Sequence, residues 1–78
     1  MPTVLLIKGF RFFFFSADGK EPVHIHVKKG GGDGKIWLMP EIRIAYLIDF
    51  TAQEEKQVIE IVRENRELII KKWNEYFS

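Results

Sequence analysis

Apolar and polar residues alternate in short runs over the first half of the chain and take a helical period over the last third. Residues 4–7 are rich in β-formers, Lys8-Gly9 breaks them, and residues 10–15 form a second run. Ala17-Asp18-Gly19-Lys20 carries the Asp-Gly signature of a turn. Residues 23–28 predict a third strand behind Pro22, a residue tolerated at a strand's start. Gly30-Gly31-Gly32-Asp33-Gly34 reads as a hairpin loop, since Gly and Asp accept the backbone angles such turns need. Residues 35–38 predict a fourth strand, Met39-Pro40-Glu41 a break, and residues 42–47 a fifth. Connections this short favour antiparallel neighbours.

The helix signal is the clearest. Thr51 followed by Glu54 is a capping box, and Gln53-Glu54-Glu55 sets acids in the first turn, where the helix dipole favours them. Val58, Ile61, Val62, Leu68, Ile69, Trp73, Tyr76 and Phe77 recur at three- and four-residue steps, with charged residues between them. One helix over residues 52–77 would run about 39 Å, against about 20 Å for a strand. It should therefore overhang the sheet. Its last apolar turn must fold back onto the phenylalanines or meet a partner. The expected fold is one α+β domain over residues 1–78: an antiparallel sheet of about four to five strands with one long C-terminal helix packed on one face.

Strand periodicity assigns the faces. Val23, Ile25 and Val27 share one side of the third strand with Ile42, Ile44 and Tyr46 of the fifth, and the helix should cover that side. His24, His26 and Lys28 share the other with Arg43, and Arg11 or Lys35 could join them. The second strand departs from alternation, because Phe12-Phe13-Phe14-Phe15 puts rings on both faces. The second face must then be covered, by sheet curvature, by Trp37 or by another chain. Exposed aromatics of this kind mark interfaces.

Composition narrows the options. There is no cysteine, so neither a disulfide nor a thiolate metal site is available. The apolar runs are too short for a signal segment or a membrane span, and the expectation is cytoplasmic. Twelve basic and eleven acidic side chains nearly cancel. They segregate, however: Lys8, Arg11, Lys20, Lys28, Lys29 and Lys35 precede Pro40 against only Asp18, Glu21 and Asp33. The sheet half is the basic half, a setting that could meet an anion. The glycine patch lacks the following helix and the Lys-Ser/Thr spacing of a phosphate loop.

His24 and His26 lie on one face, about 6.5–7 Å apart along the strand. The residues leave three uses open. The rings could act as acid and base around a phosphodiester, with Arg11, Lys35 or Arg43 on its oxygens. They could bind one metal, for which a third ligand would have to come from a loop carboxylate, Asp18, Asp33 or Glu41. They could be surface histidines paired with acids or aromatics. No nucleophile sits in a triad-like setting.

Gly9-Phe10-Arg11-Phe12-Phe13-Phe14, Glu21-Pro22-Val23-His24-Ile25-His26-Val27, Lys35-Ile36-Trp37-Leu38, Pro40 and the ending Lys72-Trp73-Asn74-Glu75-Tyr76-Phe77, with the opening Met1-Pro2-Thr3-Val4, extend over nearly the whole chain. This string resembles the "domain of unknown function 4160" family of small bacterial proteins. Its most specific piece is the Pro-x-His-x-His-Val strand. Family members often read Pro-Pro-His where this chain has Pro22-Val23-His24, which leaves the histidine spacing intact. The resemblance implies the toxin half of a type II toxin–antitoxin module, encoded beside a small "domain of unknown function 2442" protein. It makes His24 and His26 the signature polar residues, with Arg11 and Trp37 in two further family segments.

Two functions are therefore expected. The first is a toxin acting on RNA as a ribonuclease without metal or other cofactor, with His24 and His26 catalytic and Arg11, Lys35 and Arg43 binding phosphate. The alternative is a non-enzymatic module docking a small antitoxin-like partner through Phe13, Phe15, Trp37, Trp73, Tyr76 and Phe77. A homodimer is a further assembly to consider, and no membrane partner is expected.

Overall fold

The computed structural model describes residues 3–77, so the Met1-Pro2 part of the opening string lies outside the described residues. Five strands form one antiparallel meander in the order β1-β2-β3-β4-β5. They are β1 (Thr3–Ile7), β2 (Phe10–Phe13), β3 (His24–Lys29), β4 (Gly32–Trp37) and β5 (Arg43–Ile48). Two helices follow, α1 (Ala52–Glu64) and α2 (Arg66–Phe77). No helix among the described residues is long and apolar enough to cross a membrane.

The glycine patch is mostly strand. Lys29 pairs with Gly32 and Val27 with Gly34, so the hairpin turn shrinks to Gly30-Gly31. A Cβ on Gly34 would stand 2.6 Å from a Leu47 methyl and 2.9 Å from one of Val27. Glycine is there because neighbouring side chains lie across the strand's backbone.

The single long helix is corrected to two. Thr51 caps α1 as expected: its side chain accepts from Glu54 N–H at 3.1 Å, and Glu54 Oε1 accepts from Thr51 N–H at 2.9 Å. The break falls at Asn65, whose side-chain amide donates to Ile61 O at 2.8 Å. Residues 63–67 are all polar, so the apolar stripe cannot run through them unbroken. Arg66 then donates to Leu38 O at 2.9 and 3.2 Å, tying the start of α2 to the segment after β4. The overhang is thereby avoided. The last turn of α2 folds back on Phe14, with ring centroids 5.3 Å away for Trp73, 6.3 Å for Tyr76 and 5.7 Å for Phe77.

One core results, on the face expected from Ile25 and Val27. It joins Phe10, Phe12, Phe14, Ile36 and Leu38 to Val58, Ile61, Val62, Ile69 and Trp73 of the helices. The fifth strand departs from expectation. Its register shifts between Lys35 and Ile36, pairing Lys35 with Tyr46 but Ile36 with Ile44. Tyr46 thus moves to the histidine face, beside Lys35, because an extra residue in one strand reverses the side on which the next side chains fall. Ile44 is 51% and Ile48 52% exposed, so this edge strand carries large apolar side chains into solvent.

Candidate functional site

On the second face of the sheet, the chain itself covers the region of the histidines. Cross-strand neighbours share a face, and the register sets Phe13 beside His26, His26 beside Lys35, and His24 beside Trp37, with Arg43 next in line. Over this row folds the connection between β2 and β3. It tightens into a 3-10 turn at Asp18–Lys20, where Glu21 N–H donates to Asp18 O at 3.0 Å. Phe15 N–H donates to Asp18 Oδ2 at 2.8 Å and turns that carboxylate inward. Phe15 itself lies edge-on to His26, ring centroids 4.6 Å apart, while Phe13 stacks beneath at 5.7 Å.

The two histidines are consequently interior residues. His24 is 0%, His26 6% and Asp18 9% exposed. His24 is walled by Trp37, Trp73 and His26, with centroids 5.2, 5.1 and 5.0 Å away. Its Nδ1 lies 2.9 Å from Pro22 O. A carbonyl only accepts, so Nδ1 carries the proton, and a neutral ring presents a lone pair at Nε2. That Nε2 stands 3.2 Å from Asp18 Oδ2 and 3.7 Å from Glu21 Oε1. His26 Nε2 stands 3.2 Å from the same Asp18 oxygen. Neither buried Nε2 has a hydrogen-bond partner; at His24 a lone pair faces a carboxylate, and neither group donates. Leaving a buried polar atom unpaired costs about 1–3 kcal/mol. Asp18, His24 and His26 together place three potential ligand atoms within 4.8 Å of one another.

Electrostatics favours uncharged imidazole at His26. Burial pushes its pKa below the ordinary histidine value; Asp18 pulls it up, and His24 and Lys35 push it down further. Glu21, at the solvent side, is held below the usual glutamate value by its hydrogen bond with Lys35, 2.8 Å long.

The phosphate candidates share the histidine face but are engaged elsewhere. Lys35 bridges Glu21 and lies 4.3 Å above the Trp37 ring. Arg43 pairs with Glu41 at 3.1 Å in solvent. Arg11 donates to Thr3 Oγ1 at 2.9 Å and stacks over Phe13. The aromatic docking candidates divide. Phe13 and Trp73 are buried within the chain, Phe15 and Tyr76 are exposed, and Trp37 and Phe77 are half-buried. Two shallow depressions, of about 260 and 370 Å³, are lined by residues that include Phe14 with Tyr76 and Gly19 with Trp73; neither reaches the histidines.

Sequence reasoning named Asp18 among three loop carboxylates and passed over Glu21. The signal was the short reach of Asp18-x5-His24-x-His26, with the Asp-Gly turn able to swing the acid back over the strand. As an arrangement, two imidazoles and a carboxylate under an aromatic lid can hold a cation. General acid–base work on a large substrate would require the residue 14–23 connection to move.

No curated protein and no solved structure matches the chain. The model of one family, the Domain of unknown function (DUF4160), matches residues 9–74. With more than half of its length matched, from the Gly-Phe-Arg-Phe segment through both histidines to Asn74 in α2, the chain belongs to that family.

Proposed function

We propose that this protein is the toxin half of a type II toxin–antitoxin module and that its working surface docks a small partner of the "domain of unknown function 2442" type. The observation that carries the docking reading is the edge strand β5. Of its six residues, Arg43-Ile44-Ala45-Tyr46-Leu47-Ile48, only the first is charged, and Ile44, Tyr46 and Ile48 are exposed. Edge strands of isolated proteins are ordinarily guarded by lysine, proline or bulky cover. An unguarded apolar edge suits a partner that adds an extended segment to the sheet, with main-chain hydrogen bonds giving affinity and alternate side chains giving specificity.

The test is co-expression with the product of the adjacent gene. Ile44→Lys with Ile48→Lys should abolish co-purification and leave the circular dichroism spectrum unchanged, because both side chains are already in solvent. No complex with the unmodified chain, or a complex indifferent to this pair of substitutions, contradicts the reading.

RNA cleavage is the second reading, favoured by Lys35 and Arg43 standing beside His26 and Trp37 on the histidine row. Here, once the connection over them opens, one histidine takes the proton of the ribose 2′-OH as that oxygen bonds to phosphorus, and the other gives a proton to the 5′-oxygen as its bond to phosphorus breaks. His26→Gln, which keeps most of the packing, should remove cleavage of single-stranded RNA. Cleavage at an unchanged rate rejects it.

A further inference from the structure

Asp18, His24 and His26 fit a ligand that neither a docking module nor a metal-free nuclease requires. We infer that they form a binding site for a borderline transition-metal ion, with Zn²⁺ as the ion of choice. The case begins with the two buried Nε2 atoms that lack a hydrogen-bond partner. Each lies 3.2 Å from Asp18 Oδ2. A tetrahedral zinc with bonds of about 2.0–2.1 Å sets its ligand atoms about 3.3 Å apart. The two histidine–carboxylate separations therefore match the edges of such a tetrahedron, and all three donor atoms lie within 4.8 Å of one another, close enough to share one ion.

The supports around the donors are those a metal site uses. His24 Nδ1 donates to Pro22 O at 2.9 Å, which fixes the ring and leaves Nε2 for the ion. Phe15 N–H donates to Asp18 Oδ2 at 2.8 Å and holds the carboxylate in place. Trp37 and Trp73 wall the His24 ring, and Phe13 and Phe15 wall that of His26. The donor set selects the ion: two imidazoles suit zinc and its neighbours, whereas magnesium and calcium take oxygen ligands. Glu21 Oε1, 3.7 Å from His24 Nε2 on the solvent side, pairs with Lys35 and stands outside this three-donor group. Three protein ligands leave the fourth position of a tetrahedral ion to a water or another small ligand. The ion would pin the β2–β3 connection to β3 and lock the lid over the histidine row.

The experiment uses tag-free, chelator-treated protein titrated with Co²⁺ and then Zn²⁺. One ion per chain is expected, with the visible absorption of tetrahedral Co²⁺ bleached by stoichiometric Zn²⁺ and a rise in Tm. His24 and His26 are the chain's two histidines, so long-range ¹H–¹⁵N spectra report both rings directly. Zn²⁺ should move both Nε2 resonances and leave the His24 Nδ1 protonated. Asp18→Asn should weaken Co²⁺ binding about 100-fold or more, since loss of a mere supporting partner costs about 10–100-fold. Absence of binding at stoichiometric ion, ring resonances that stay put on binding, or undiminished affinity in Asp18→Asn overturns the site. Should Asp18→Asn fail to fold, the ring resonances of the unmodified chain decide. None of these readouts depends on a partner protein or on RNA.

Discussion

His26 couples the burial of a single ring to the stability of the chain. Burial foremost lowers its pKa, so the unfolded chain binds the proton more readily than the folded one. Stability from this residue is full above the unfolded value of about 6.5 and is lost as the pH falls below it. Urea unfolding in chelator should show the midpoint dropping from pH 7.5 to pH 5.5, with His26→Gln flattening that slope. A midpoint that rises on acidification contradicts a neutral, buried ring. Gly34 gives a second residue-scale outcome. A methyl group there would meet Leu47 and Val27 inside contact distance, so Gly34→Ala should destabilise by about 1–3 kcal/mol in the same assay. The two histidines' shared face was legible from the two-residue period. Asp18 was named for them only as one of three loop carboxylates, because choosing among these depends on how the 3-10 turn between strands folds over the sheet.

At the scale of elements, strands and capping followed local rules and junctions did not. The five strands were legible from β-formers and turn residues, and the capping box at Thr51 from spacing alone. Thr51→Ala should cost about 1 kcal/mol, read from thermal unfolding. The break at Asn65 was obscured because its neighbours are good helix formers; its trace in the sequence is the all-polar run 63–67, longer than a buried stripe allows. Arg66 holds the second helix to the Leu38 carbonyl, and Arg66→Ala should destabilise by about 1–3 kcal/mol, by leaving that half-buried acceptor short of a partner. The shift in β5 was equally hidden, since an extra residue in one strand shows only in pairing with its neighbour.

For the whole molecule, the α+β architecture disposes its surplus aromatics in two ways. Phe13, Phe14 and Trp73 are absorbed on the two sides of the sheet, whereas the apolar side chains of β5 stay at an open edge. The helices pack across one face of the sheet, against Phe10, Phe12, Ile25, Val27 and Ile36, and β5 stands at the edge of the strand order. The histidine row lies closed beneath residues 14–23, so docking at the edge and chemistry at the row are separable by measurement. Amide hydrogen exchange of the chain alone and with the adjacent gene's product tests the docking claim most directly. Slowed exchange confined to residues 43–48 on complex formation is the predicted result. Unchanged exchange there, with protection appearing over α2 or over residues 14–23 instead, would contradict it.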